Sequence, residues 1–246
     1  MRTLNIMMSV PLGIQSMERY FPGLREGTIN LLVGEPGVGK TILGIQYLID
    51  GAEKDEDVLL ISLNESAYDI KRDFEDFTWN MNIINVIDAT PTSKKREIRP
   101  YREVTQVADV IRMMDVKEKY QSKEIDVFNL KSTLKVILER RKFSRVLLDS
   151  ITSLKYFYTL DVDPEEATIS FLDFFRLLRD TTSLIIAEYT EDIGNIMRMM
   201  DSVLYLKREE TSIILEIIKT TNFYSGAAIP LDLTKNGFVI KEKKRR

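Results

Sequence analysis

Lys40 and Thr41 close a glycine-punctuated stretch, Gly34-Glu35-Pro36-Gly37-Val38-Gly39-Lys40-Thr41, that runs on into Ile42. Those residue types at that spacing suit the capture of an anion. Glycines at 34, 37 and 39 let a backbone curl closely around a ligand, and the N–H groups of a first helical turn have no partner within their own helix. The helix dipole adds partial positive charge at the same end, so a polyphosphate satisfies both. Lys40 would supply a compact positive charge toward the β- and γ-phosphates, and the Thr41 hydroxyl suits a Mg²⁺ ion that keeps most of its waters.

Such a loop works only when a strand delivers it and a helix follows. Thr28 to Val33 is rich in strand formers, and Ile42 to Asp50 has helical character. Asp57 to Leu63 and Phe143 to Asp149 are nearly continuous apolar runs, as in parallel strands covered on both faces, and they lead into Asn64-Glu65-Ser66 and Asp149-Ser150. Asn82 to Asp88 and Ser183 to Glu188 read as further strands. Ala67 to Trp79, Asn129 to Lys142 and Glu165 to Arg179 read as helices, the first capped by Ser66 with Asp69 three residues on. After Asp201 the pattern changes to strands without helices: Asp201 to Lys207, Thr211 to Thr220 and Phe238 to Lys243. The prediction is an α/β fold, a twisted and mostly parallel sheet with helices on both faces and an antiparallel β extension at its C-terminal end. One domain is expected over residues 1–246, with a lead-in segment at 1–27 that holds a short helical piece at Ile14 to Phe21. An irregular polar insertion at 89–127 and a basic tail at 242–246 complete it.

The chain has no cysteine and no histidine. Disulfides, thiol catalysis and imidazole chemistry are thereby excluded, and acid–base work must rest on carboxylates, lysine, tyrosine or ordered water. A formal charge of −3 argues against a surface uniformly attracted to nucleic acid. No apolar run reaches the length of a bilayer span, and Met1 to Gly13 lacks the long apolar stretch of a signal peptide, so a cytoplasmic location is expected.

The order and spacing of GEPGVGKT at 34–41, SLNES at 62–66, RVLLDS at 145–150 and a terminal β segment containing Lys219 resemble a single-domain member of the KaiC-like branch of RecA/RadA-type P-loop ATPases. The resemblance covers most of residues 10–241. It implies a RecA-like core with ATP and Mg²⁺ at the C-terminal ends of the strands. It also implies a homo-oligomeric ring, a hexamer being one expected size, with ATP held between neighbouring subunits. In that frame the nucleotide is bound by Gly34, Glu35, Pro36, Gly37, Val38, Gly39, Lys40, Thr41 and Ile42. Thr41 and Asp149 serve the metal, the alternative for Asp149 being a cap on the helix that follows it. Glu65 orients or deprotonates the attacking water, or else is an ordinary acidic residue near a helix N-terminus. Glu188 resembles the position that senses the γ-phosphate, and Lys219 the lysine inserted into the neighbour's site.

Two departures from the family pattern bear on rate. The strand that family members usually end with two glutamates ends here in Asn64-Glu65, and an amide cannot take a proton. Two positions after Lys219, where the family usually supplies an arginine, stands Thr221, and a hydroxyl stabilises transition-state charge far less well than a guanidinium. Double-domain circadian members carry phosphoacceptor Ser-Thr residues where this chain has Met197-Arg198-Met199-Met200, so autokinase activity is not implied. The expectation is an oligomeric, Mg²⁺-dependent and slow ATPase that switches its assembly or an unidentified protein partner. The alternatives are a nucleotide-gated scaffold without turnover and a DNA-recombination accessory factor using Lys94-Lys95-Arg96 or the KEKKRR tail.

Overall fold

The computed structural model describes residues 9–90, 99–100, 127–157, 163–190, 193–210, 212–221 and 226–241. Most of the expected insertion, with Lys94 to Arg96, and the tail at 242–246 lie outside these residues.

The chain opens with β1 (Ser9–Val10) and β2 (Leu24–Arg25), which pair antiparallel as a separate ribbon. Between them the expected helix at Ile14 to Phe21 is reduced to one 3-10 turn at Met17–Arg19, because Ser16 takes a left-handed backbone conformation (φ 61°) that interrupts helical propagation. Then come β3 (Ile29–Gly34), α1 (Lys40–Ala52), β4 (Val58–Ser62), α2 (Ala67–Asp73), β5 (Asn85–Asp88) and β6 (Arg99–Pro100). They are followed by α3 (Val127–Arg140), β7 (Arg145–Asp149), α4 (Pro164–Arg176), β8 (Thr182–Glu188) and α5 (Ile193–Met199). The last elements are β9 (Ser202–Glu209), β10 (Ser212–Lys219), β11 (Ala228–Thr234) and β12 (Gly237–Ile240).

Ten strands form one sheet in the order β12-β11-β10-β9-β3-β8-β7-β4-β5-β6. The six from β9 to β5 are parallel, and β10, β11, β12 and β6 add antiparallel to the two sides. The sheet is therefore the mostly parallel one expected, with the antiparallel extension at its C-terminal end. Every residue of β3, β4 and β7 is buried, which is why these strands read as unbroken apolar runs. One face packs on α3, α4 and α5 through Leu134, Phe171, Phe175 and Ile193; the other packs on α1 and the lead-in through Leu43, Leu48, Leu12 and Phe21.

Two further stretches differ from expectation. The helix begun at Ser66, whose hydroxyl accepts from the Asp69 N–H, stops at Asp73 rather than reaching Trp79. Phe74, Phe77 and Trp79 instead gather into one aromatic cluster with ring centroids 4.6–5.8 Å apart. β11 lies in a stretch with no strand expected, because Pro230 and alternating polar residues mask its pattern. The methionine-rich stretch ends α5, with Met197 and Met199 packed against the core and Met200 buried.

At the end of the sheet away from the glycine loop, Arg145 is only 1% exposed. Its guanidinium makes two parallel bonds to Glu56 (2.7 and 2.8 Å), donates to the Pro11 and Tyr47 carbonyls (3.0 and 2.8 Å), and lies 3.0 Å from Asp50. The planar fork of arginine suits this set of acceptors, and Gly51 leaves room for it, since a Cβ there would sit 2.6 Å from Nε. Removing one partner of a buried ionic group strands the others. Arg145→Met should therefore lower stability by about 3 kcal/mol, read as a fall in the urea midpoint. Lys142→Met, which breaks the exposed pair with Asp180, should leave that midpoint unmoved.

Candidate functional site

β3 is hydrogen-bonded between β8 and β9, and its last residue, Gly34, stands level with Glu188 and Leu206. The loop after it thus emerges at the carboxyl ends of the central parallel strands, where α/β sheets place their ligands. Gly39 adopts φ 104° and packs so tightly that a Cβ would lie 2.8 Å from the Phe238 ring. Among the described residues, the backbone N–H groups of Gly37, Gly39, Lys40, Thr41 and Ile42 donate to no protein acceptor. A run of unpaired N–H groups at the start of a 13-residue helix is a seat for an anion.

The Lys40 ammonium is buried and folds back over the loop, donating to the Gly34 and Glu35 carbonyls at 2.9 and 2.8 Å. Burial lowers its pKa, opposed by the negative charges of Glu188, Asp149 and Glu35. Thr41 Oγ1 donates to Asp149 Oδ2 at 2.6 Å, so two oxygen groups 108 residues apart in sequence meet beside the loop. Asp149 ends β7 and is 5% exposed. Burial pushes its carboxyl up, opposed by the Thr41 hydrogen bond, the Lys40 charge and a hydrogen bond from Asn64.

A hydroxyl beside a buried carboxylate is a hard-oxygen donor set, and it fits a Mg²⁺ ion that draws its remaining ligands from phosphate and water. Among the described residues no group of three or more acidic side chains gathers into a metal cage, so an all-protein site of the calcium type is not offered.

Glu65 follows β4 beside this cluster, with its own carboxylate making no hydrogen bond or ion pair among the described residues. Partial withdrawal from water raises its pKa first, and the charges of Asp149, Asp73 and Asp69 raise it further. Glu188, exposed at the end of β8, has its backbone N–H fixed by Thr152 Oγ1 at 3.0 Å, and the next N–H, of Tyr189, donates to the Gly34 carbonyl at 3.1 Å. Thr152, Ser153 and the use made of Asn64 were not foreseen. Their only sequence signal is a hydroxyl-rich turn, Ser150-Ile151-Thr152-Ser153, after a buried strand.

Lys219 is not brought to this cluster. It pairs in register with Val203, the partner of Leu31, whereas the loop leaves from Gly34. It therefore sits toward the opposite end of the sheet, where Nζ donates to the Arg198 and Met200 carbonyls at 3.1 and 2.5 Å.

The family model described as "ATPase: KaiC" matches residues 10–245. The chain belongs to the KaiC family of ATPases. A UPF0273 protein of Saccharolobus solfataricus is 24% identical over 238 residues, spanning 91% of this chain and 79% of the relative. A UPF0273 protein of Thermotoga maritima is 31% identical over 147 residues, 59% of this chain and 56% of that one. The circadian clock oscillator protein KaiC of Parathermosynechococcus lividus is 25% identical over 243 residues. The match takes in 89% of this chain and only 39% of the clock protein's length. Among solved structures, a KaiC-like protein from Pyrococcus horikoshii superposes with a TM-score of 0.73 over 96% of this chain and all of the other, at 21% identity. That likeness shows a shared RecA-like fold.

Within this KaiC-family fold the contacts of Lys219 have a local consequence. The last carbonyls of a helix lack intrahelical donors, and a cation placed there satisfies them and opposes the dipole. Arg176 joins it by donating to the Met199 carbonyl. Lys219→Ala should speed amide exchange at Ile196–Met200 about fivefold, while the β3 amides exchange as before; exchange-mass spectrometry reads both.

Proposed function

We propose that this KaiC-family chain is a Mg²⁺-dependent ATPase of slow turnover that works as an oligomeric, nucleotide-controlled switch. The observation that carries the reading is the set of N–H groups of Gly37, Gly39, Lys40, Thr41 and Ile42, which meet no acceptor among the described residues, joined to the Lys40 ammonium and to the Thr41–Asp149 contact. In this reading Gly34 to Ile42 cradle the polyphosphate, and Lys40 leaves the Gly34 and Glu35 carbonyls to neutralise the β- and γ-phosphates. Thr41 and Asp149 hold Mg²⁺, which when bound supplies charge neutralisation on the phosphate oxygens. Glu65 orients the water that attacks the γ-phosphoryl group. A carboxylate with a raised pKa and no hydrogen-bond partner among the described residues is suited to that work.

The distance of Lys219 from its own loop supports a role on a neighbour's nucleotide rather than its own, and hence a ring with ATP at the subunit interfaces. To act there it must release the two carbonyls it holds. Thr221 and Asn64 support a low rate. In this reading residues 1–246 act as one ATPase domain, and the clock function named for the cyanobacterial relative is not carried over. No helix among the described residues is long and apolar enough to cross a membrane.

A scaffold that binds nucleotide without turnover is the second reading, favoured by Asn64, an amide that cannot take a proton and that is engaged with Asp149. ATP turnover measured beside nucleotide binding separates the two. Wild type should hydrolyse Mg-ATP, Glu65→Gln should lower the rate about 100-fold or more with binding kept, and Lys40→Ala should lose both binding and turnover. EDTA should abolish hydrolysis. Tight binding with a wild-type rate no higher than that of Lys40→Ala would establish the scaffold instead.

The pH profile carries a further expectation. A base must be ionised to act, so the rate should fall as pH drops through the Glu65 pKa. Because the folded protein raises that value, the acid limb should lie above the ordinary glutamate value of 4.5 and be absent from the residual rate of Glu65→Gln.

A further inference from the structure

We propose that Asn64 is a positioning residue: it holds the Asp149 carboxylate in the orientation that faces Thr41 and a divalent cation. The inference rests on the reading of Thr41 and Asp149 as the Mg²⁺ pair. Three contacts carry it. Asn64 Nδ2 donates to Asp149 Oδ1 at 3.3 Å and to Ser150 Oγ at 3.1 Å, and Asn64 Oδ1 accepts from the Ser153 hydroxyl. With Thr41 on Oδ2, each oxygen of the buried carboxylate has its own donor.

The partners also dictate which way the amide points. An ionised carboxylate only accepts, so the NH₂ group must face Asp149 and the carbonyl must face Ser153, whose hydroxyl donates. Both ends of one short side chain at the exit of β4 are thus spent on β7 and the turn that follows it. The two strands pair in register, Ser62 beside Asp149, and the Asp149 carbonyl accepts from the Leu63 N–H at 2.7 Å. Asn64 continues that pairing with its side chain, one residue beyond the backbone ladder.

The type of residue matters as much as its place. A carboxylate at position 64 would have no N–H to offer either Asp149 or Ser150, and it would set a like charge against a buried one. An apolar side chain would leave Asp149 Oδ1 without its donor. On this account the amide, where family members usually have an acid, exchanges a second candidate base for a fixed metal ligand.

The test is binding of a fluorescent ATP analogue, N-methylanthraniloyl-ATP, measured in Mg²⁺ and again in EDTA. The quantity read is the ratio of the two affinities, with thermal melts alongside. Asn64→Leu keeps the size and removes the hydrogen bonds. It should cut the Mg²⁺-linked gain roughly tenfold and leave the EDTA affinity within about twofold of wild type, which a general loss of structure would not do. Asn64→Ala, at an exposed position, gives the same readout should leucine not be tolerated. A variant ratio equal to wild type, or an equal loss of affinity in both buffers, would overturn the inference. If wild type binds the analogue in neither buffer, the phosphate-loop reading itself falls, and this one with it.

Discussion

A carboxylate taken out of water must be met by donors, and Asp149 shows how much structure that demand recruits. Its oxygens are reached by the Thr41 hydroxyl from α1 and the Asn64 amide from the end of β4, and the positive charge of Lys40 lies close by. Those groups come from three separate segments, so the carboxylate is satisfied only when β3, β4 and β7 run parallel and in register. The site is in this sense a property of the sheet. The fold is shared with a protein of only 21% identity.

The two ends of the sheet divide the labour. At the carboxyl ends of the parallel strands, beside a lysine held by two backbone carbonyls, lie N–H groups and a carboxylate that meet no protein partner among the described residues. Toward the other end, Arg145 has an acceptor for nearly every donor it carries, and Tyr47 places its hydroxyl on the Thr182 carbonyl at 2.8 Å. Buried polar groups cost free energy unless paired. A molecule that keeps donors open beside the glycine loop while Arg145 and Tyr47 tie the opposite end together is one in which rigidity supports a ligand site.

Much of the fold was legible in the sequence because burial leaves a plain mark. β4 and β7 read as strands since both of their faces are covered, and the glycine loop read as a turn between strand and helix since glycine spacing there is fixed by backbone conformation. The family resemblance added the RecA-like arrangement, and the family model and the structural likeness agree with it. What escaped notice has no periodic signal. Arg145 read only as part of the strand expected over Phe143 to Asp149, and only the folded chain brings Glu56, Asp50 and Pro11 around it. Asn64 was legible as a missing acid but not as a hydrogen-bonding clamp, because its partners lie 85 or more residues away. The short α2 escaped because Phe74, Phe77 and Trp79 pack on each other as well off a helix as on one. Lys219 was read through the family alone, and its local task at the end of α5 depends on a register that spacing does not reveal.

Gln46 ties together parts of the chain that are made at very different times. Its amide donates to the Gly13 and Phe238 carbonyls and accepts from the Phe238 N–H, a contact across 192 residues. Phe238 is also the side chain against which Gly39 packs. During synthesis the glycine loop leaves the ribosome well before the wall that shapes it. Contacts of such long sequence separation form late. The nascent chain thus carries the loop without the packing that gives it its final form until β11 and β12 have paired behind it.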